Sequence, residues 1–268
     1  MTQVNSDQDM LVPLGSSARN QWAVSTSKVN LVRESRPARP LSVPATPQTL
    51  TFDLAASAIV IIDMQNDFCH ADGWLASIGV DIAPARSPIE PLVDVLPVLR
   101  AQDMPVIWLN WGNRPDLLNC SPTILHVYDP DGRSHGLGAQ MDRGSKDIRV
   151  LEEGSWSAAV VDELMPVEGD IQVSKYRMSG FWDTPLDSIL RNLKVQTLLF
   201  AGVNLDQCVL ATLIDASCAG YDCILLEDCA ATTSPSFCTE ATLYNVRQCF
   251  GLVAKARDIR SAIEDAAA

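Results

Sequence analysis

Residues 197–210 read Thr-Leu-Leu-Phe-Ala-Gly-Val-Asn-Leu-Asp-Gln-Cys-Val-Leu. The segment begins as an apolar run typical of a buried strand, passes through Gly202, and continues into a helical pattern that starts near Asn204 or Asp206. A strand followed directly by a helix is the repeating unit of folds built on parallel sheets. This stretch therefore predicts an α/β fold in which Cys208 lies in the first turn of a helix.

Similar apolar runs lie on both sides of this segment and alternate with helical patterns. We predict strands at 58–63, 105–110, 170–174, 197–202, 222–227 and 252–255. We predict helices at 88–102, 155–163, 185–193, 206–219, 236–250 and 259–267. These elements favour a three-layer α/β/α, doubly wound, mostly parallel six-stranded sheet within one domain spanning residues 51–268.

In two segments the apolar residues follow neither the strand nor the helix periodicity. Residues 1–50 are rich in Ser, Pro, Asn, Gln and Arg, and they predict an irregular N-terminal arm that is either loose or packed over a neighbouring subunit. Residues 111–154 are rich in Gly, Asp, Ser and Pro. Long segments of this kind in compact domains often cover a binding site.

Composition excludes several classes of partner. The formal net charge is -13 and no long Lys/Arg run occurs, so a nucleic-acid backbone would be repelled. No apolar run approaches the ~18 residues of a membrane span, and no basic segment followed by an apolar one marks the N-terminus. We expect a cytoplasmic protein that binds neither nucleic acid nor membranes. The eight cysteines show no paired Cys-x-x-Cys spacing and are expected to be reduced.

Three polar side chains fall at the carboxyl ends of predicted strands, where open parallel sheets bind ligands. Asp63 ends an apolar run, and a carboxylate there is costly unless it is paired; Lys175 follows another strand and is a candidate partner. In the first helical turn, backbone N–H groups would lower the pKa of the Cys208 thiol and could hold an oxyanion. The alternatives are a turn-capping aspartate, an exposed lysine and a core cysteine.

The motifs around these residues resemble those of the isochorismatase-like cysteine hydrolases. They are Ile62-Asp63-Met64-Gln65-Asn66-Asp67-Phe68, Lys175 ahead of Ser179-Gly180-Phe181, and Gly202-Val203-Asn204-Leu205-Asp206-Gln207-Cys208-Val209. The resemblance covers residues 52–255 and is greatest to the ureidoacrylate amidohydrolases and biuret hydrolases of that family.

The resemblance implies cleavage of a C–N bond in a small amide or ureide, without a cofactor. It implies that Cys208 is the nucleophile, Asp63 the acid/base and Lys175 the residue that holds the aspartate. It further implies a cis peptide bond between Val203 and Asn204, backbone N–H donors at Asn204 and Cys208 for the oxyanion, and a homo-oligomer, either a dimer or a tetramer.

Some positions leave the substrate open. Residues 110–113 lack the metal-binding Asp-x-His of nicotinamidases, and His70, His126 and His135 show no ligand spacing, so no metal site is predicted. Candidate substrate contacts are Phe68, Asn110 and Trp182. Arg114 could bind a substrate carboxylate or form a surface ion pair.

Three alternatives to the amidohydrolase reading remain. The first is a hydrolase of N-carbamoyl amino acids or other simple carboxamides. The second is a non-amide isochorismatase-like hydrolase or an oxidatively regulated thiol enzyme, and the third is a non-catalytic interaction module that retains the fold.

Overall fold

The fold is described from a computed structural model, which covers residues 10–132, 136–143 and 146–267. The strands in these residues are β1 (Val12–Leu14), β2 (Trp22–Val24), β3 (Val29–Asn30), β4 (Pro40–Val43), β5 (Ala45–Thr46), β6 (Leu50–Asp53), β7 (Ser57–Ile62), β8 (Val106–Trp111), β9 (Gln140–Arg143), β10 (Lys146–Arg149), β11 (Ile171–Lys175), β12 (Thr197–Gly202), β13 (Asp222–Ala230) and β14 (Leu252–Ala254).

The α-helices in the same residues are α1 (Asn66–Cys69), α2 (Trp74–Ser77), α3 (Ala83–Arg86), α4 (Ile89–Ala101), α5 (Pro122–Tyr128), α6 (Leu186–Asn192), α7 (Leu210–Cys218), α8 (Ser236–Asn245) and α9 (Ala256–Ala267). Short 3₁₀ turns occur at Leu54–Ala56 and Asp162–Leu164, and π-helical turns at Leu205–Val209 and Val246–Phe250. None of the helices in the described residues is long and apolar enough to cross a membrane.

The core is a seven-stranded sheet in the order β11-β8-β7-β12-β13-β14-β5. All neighbouring pairs are parallel except β14 and β5, which are antiparallel. The central strands β7 and β12 are buried along their whole length, as expected for continuous apolar runs covered on both faces. The predicted α/β class and its three-layer, mostly parallel sheet are confirmed.

The sheet has one strand more than the six that the sequence predicts. Strand β5 supplies two residues, and it lies within residues 1–50, where the sequence predicts an irregular arm. Four other short strands, β1 to β4, also occur before residue 51. Strands of two to four residues are too short to show a period, and backbone pairing with distant segments creates them.

The predicted helix at 155–163 is wrong, because only the 3₁₀ turn Asp162–Leu164 is helical there. The N–H groups of Asn66 and Asp67 donate to the carbonyls of Ala159 and Ser157. This segment therefore pairs with the start of α1 instead of forming its own helical hydrogen bonds.

Candidate active site

The carboxyl ends of β7 and β12 meet closely at the centre of the sheet. Gly202 lies opposite Ile62 with φ 108°, and a Cβ atom there would come within 2.0 Å of the Ile62 carbonyl oxygen. Only glycine permits this approach. Asp63 follows Ile62 with φ 52°, a left-handed conformation that turns the chain out of the sheet.

Lys175 is the last residue of β11 and pairs in register with Trp111, the last residue of β8. Its ammonium lies 4.5 Å from the centre of the Trp111 ring, within the range of a cation–π contact. Parallel register therefore brings Lys175 and Asp63 to the same edge of the sheet from strands that are two positions apart.

The structure brings the three sequence-predicted residues together. Lys175 Nζ lies 2.8 Å from Asp63 Oδ2 and 3.3 Å from Cys208 Sγ. Asp63 and Lys175 are fully buried and Cys208 is 5% exposed. Asp63 Oδ1 is buried without a hydrogen-bond partner among the residues that the structure describes. That oxygen is free to accept a proton.

Burial and the charges of neighbouring groups together set the ionisation of this cluster. It raises the pKa of Asp63, and the opposing attraction of Lys175 does not cancel the effect. Burial alone would lower the pKa of Lys175, but the negative charge of Asp63, together with the contacts of the ammonium with Asp63 and Cys208, outweighs burial and the pKa is raised. The lysine is therefore held as an ammonium.

The pKa of the Cys208 thiol is raised, first by burial and then by the charge of Asp63. The sequence-based expectation of a lowered thiol pKa is thus wrong. Position in a helical turn is visible in the sequence, whereas the depth of burial and the nearby carboxylate are not. With this pKa the resting cysteine is a thiol, and a thiolate requires transfer of its proton.

Cys208 lies in the first turn after β12, as predicted, but the turn is π-helical. The N–H groups of Gln207 and Val209 both donate to the Asn204 carbonyl, at 3.1 and 3.2 Å. The expected cis peptide bond joins Val203 and Asn204. The N–H of Asn204 has no hydrogen-bond acceptor within the described part of the chain, so it can donate to a ligand.

A cavity of about 240 Å³ opens onto Cys208. It is lined by Phe68, Trp74, Leu75, Ile78, Trp111, Val127, Tyr128, Leu137, Leu151, Asn204, Gln207, Cys208 and Thr233. Of the predicted substrate contacts, Phe68 lies in this wall.

Asn110 and Trp182 lie elsewhere. Asn110 precedes Trp111 in β8, so strand alternation directs its side chain to the other face of the sheet. Trp182 is 63% exposed and donates its indole N–H to Asp215. Arg114 forms a bidentate pair with Asp116 at the surface, which matches the ion-pair alternative.

Two buried polar residues that the sequence analysis did not single out support the site. Gln65 donates to the carbonyls of Trp111 and Ala158 and accepts from the Trp111 N–H, which ties the ends of β7 and β8 together. Asp67 accepts the N–H groups of Trp74 and Leu151 at 3.0 and 2.8 Å. In the sequence, the feature that indicates these residues is a run of polar residues, 65–67, that follows a buried strand.

No cluster of three or more His, Cys, Asp or Glu side chains in residues 10–132, 136–143 and 146–267 is arranged to hold a metal ion. His135 lies outside the described residues.

The fold and site define an α/β protein with a buried Asp-Lys-Cys cluster at the carboxyl edge of its sheet. The model of the Isochorismatase domain matches residues 57–258, and the chain belongs to the isochorismatase family. The resemblance found in the motifs is therefore confirmed.

Relatives and solved structures agree with this assignment. Ureidoacrylate amidohydrolase RutB of Klebsiella variicola (strain At-22) is 34% identical over 226 residues, which span 84% of this chain and 94% of the relative. The protein of the same name from Rhizobium rhizogenes (strain K84 / ATCC BAA-868) is 34% identical over 227 residues, with coverage of 85% and 91%.

Among solved structures, a cysteine hydrolase from Pseudomonas syringae pv. phaseolicola 1448A has the same fold. Its TM-score is 0.68 at 23% identity, covering 87% of this chain and all (100%) of that one. N-carbamoylsarcosine amidase from Thermoplasma acidophilum gives a TM-score of 0.56 at 27% identity, with coverage of 75% and 96%.

Proposed function

We propose that the protein is a cysteine amidohydrolase that cleaves the C–N bond of a small amide or ureide. The observation that carries this proposal is the contact of Lys175 Nζ with both Asp63 and Cys208, in a buried cluster that opens onto a cavity. Like its relatives named as amidohydrolases, the protein is a hydrolase of non-peptide C–N bonds.

The first half-reaction forms a covalent intermediate. Asp63 takes the proton of the Cys208 thiol, and the sulfur attacks the carbonyl carbon of the substrate. The N–H of Asn204, joined by that of Cys208, donates to the oxygen that becomes negative. Asp63 then passes its proton to the departing nitrogen, so the C–N bond breaks and ammonia or an amine leaves. The product on the enzyme is a thioester, or a thiocarbamate if the substrate is a ureide.

The second half-reaction consumes one water molecule. Asp63 removes a proton from the water as its oxygen attacks the carbonyl carbon, and the C–S bond breaks. The proton returns to the sulfur, which restores the thiol. A carboxylic acid is released from an amide, whereas a ureide gives a carbamic acid that loses carbon dioxide spontaneously.

Lys175 keeps the charge of the cluster balanced. When the thiol proton moves to Asp63, negative charge moves from oxygen to sulfur, and Lys175 Nζ lies near both atoms, at 2.8 and 3.3 Å. A buried ammonium between the two sites therefore stabilises the thiolate without any movement of the lysine.

A second candidate substrate class is supported by one solved structure. N-carbamoylsarcosine amidase is similar in fold and 27% identical in sequence. An N-carbamoyl amino acid is itself a ureide, and the same chemistry would release ammonia from it. Among ureides, the two candidates differ only in the group attached to the ureido nitrogen.

Ammonia release tests the proposal. We expect the wild-type protein to release ammonia from at least one compound in a panel of ureides, N-carbamoyl amino acids and simple carboxamides. Cys208→Ser is expected to lose at least ~99% of that activity, as removal of a covalent nucleophile does. Cys218→Ser, at an exposed cysteine of α7, is the matched control and should retain it. Equal activity in Cys208→Ser and wild type would overturn the proposal.

A further inference from the structure

Most residues that line the cavity beside Cys208 are apolar. Nine of its thirteen lining residues are aliphatic or aromatic, and the other four are Asn204, Gln207, Cys208 and Thr233. Pockets for drug-sized ligands span roughly 300–1,000 Å³, so a cavity of about 240 Å³ suits a smaller molecule.

The aromatic residues form one continuous surface. Trp74 contacts Phe68 edge to face with ring centres 6.5 Å apart, and it contacts Tyr128 in the same way at 5.5 Å. Tyr128 in turn contacts Trp111 at 6.3 Å. Asp67 fixes the backbone N–H of Trp74, so the wall is anchored to the same segment that carries Asp63.

No lysine, arginine or histidine of the described residues lines this cavity. The ammonium of the buried Lys175 lies over the Trp111 ring, and its charge is already paired with Asp63. Arg114, the cation that the sequence suggested for a carboxylate, is paired with Asp116 at the surface. A substrate carboxylate placed against the aromatic wall would lose its hydration and gain no counter-ion from the residues that the structure describes.

Three of the four polar lining residues, Asn204, Gln207 and Cys208, belong to one turn, and the fourth, Thr233, donates its backbone N–H to the Asn204 side chain. The amide nitrogen of Gln207 makes a single long hydrogen bond of 3.4 Å to Ser234, which leaves its side-chain oxygen able to accept from a substrate N–H. The N–H of Asn204, which has no acceptor among the described residues, belongs to the same turn. One polar end and one apolar wall fit a molecule with the same division.

From this arrangement we infer that the preferred substrate is an uncharged amide or ureide that carries a small apolar substituent. The inference rests on the proposed function and narrows its substrate class. It separates this protein from the relatives named for ureidoacrylate, since an acrylate is a carboxylate. The apolar substituent packs against the wall of Trp74 and Tyr128, and the amide or ureido group lies at Cys208 and Gln207.

A pair of ureides with the same chain length tests the inference. In isopentylurea, two methyl groups stand where N-carbamoyl-β-alanine has its two carboxylate oxygens. We expect kcat/KM for isopentylurea to exceed that for N-carbamoyl-β-alanine at least tenfold. An equal or larger kcat/KM for the carboxylate would overturn the inference and leave the proposed amidohydrolase function intact.

Binding without turnover separates the two claims. Calorimetry with Cys208→Ala should show isopentylurea binding at least tenfold more tightly than N-carbamoyl-β-alanine. If neither ureide were hydrolysed by the wild type, the proposed function would lose its support for ureides. The binding ratio would still decide the inference, because tighter binding of the carboxylate contradicts it.

A rim substitution provides the converse test. Val127 lines the cavity and is 58% exposed, so Val127→Arg places a cation at its edge. This variant should shift the preference toward N-carbamoyl-β-alanine at least tenfold. Val93→Arg is the matched control, because Val93 is a 45% exposed valine of α4 outside the cavity, and it should leave the ratio unchanged. An unchanged ratio in Val127→Arg would contradict the placement of the substituent.

Discussion

The ammonium of Lys175 and the carboxylate of Asp63 form an ion pair of 2.8 Å in which both side chains are completely buried. The two residues are 112 positions apart in the chain, and parallel strands bring them to one edge of the sheet. Each buried charge depends on the other, since an unpaired ion in such a place is strongly destabilising. The site and the stability of the fold are therefore coupled.

This coupling predicts the effect of removing one charge. Asp63→Asn and Lys175→Met should each lower the free energy of unfolding by roughly 3–5 kcal/mol, because each leaves one buried charge unpaired. The double variant Asp63→Asn/Lys175→Met should recover much of that loss while remaining inactive. Urea unfolding of the four proteins measures these differences. Single variants as stable as the wild type would show that the ion pair is not needed to offset the cost of burying the two charges.

The raised pKa of Asp63 predicts the acid side of the pH–activity profile. The carboxylate must be ionised to accept the thiol proton, so activity is lost as pH falls through its pKa. Because burial raises that pKa, kcat/KM should fall with an apparent pKa above the ~4 of an ordinary aspartate.

The profile has an internal control. Burial also raises the pKa of Asp67, but Asp67 contacts backbone N–H groups and not the thiol. Asp67→Asn should therefore keep the position of the acid limb even if its rate is lower. An acid limb with an apparent pKa at or below ~4 in the wild type would indicate that a group other than Asp63 accepts the thiol proton. Disappearance of the acid limb in Asp67→Asn would indicate the same.

Substitution of Asp67 is expected to change substrate affinity. Asp67→Ala removes the acceptor of two buried N–H groups, each worth about 1–3 kcal/mol when left unsatisfied, so the free energy of unfolding should fall by roughly 2–6 kcal/mol. Those N–H groups belong to Trp74 and Leu151 of the cavity wall, so KM should rise more than kcat falls. Asp67→Asn retains one acceptor oxygen, so its stability and KM should lie between those of the wild type and Asp67→Ala. A fall in kcat alone would contradict a role in shaping the cavity.

The sequence predicted the parts of the site that follow directly from buried strands. Asp63 and the turn of Cys208 each follow a continuous buried run, Lys175 ends a strand of alternating burial, and the carboxyl ends of parallel strands share one edge. The sequence alone therefore predicts that these three residues lie together.

The cavity wall could not be predicted in the same way. Trp74, Tyr128 and Leu151 come from short helices and a loop whose positions depend on hydrogen bonds to distant residues such as Asp67. Asn110 and Trp182 were chosen for their nearness in sequence to the motifs, but strand alternation and surface exposure place them away from the cavity. Long-range packing, which leaves no local pattern, decides these positions.

The central claim is that Cys208 forms a covalent bond with the substrate carbon. Mass spectrometry of the intact protein and of its peptic peptides, after rapid acid quenching of a turnover mixture, tests it most directly. The account predicts an acyl or carbamoyl adduct on the peptide that contains Cys208, present in wild type and Cys218→Ser and absent in Cys208→Ala. Steady turnover by Cys208→Ala, or an adduct confined to another residue, would contradict it.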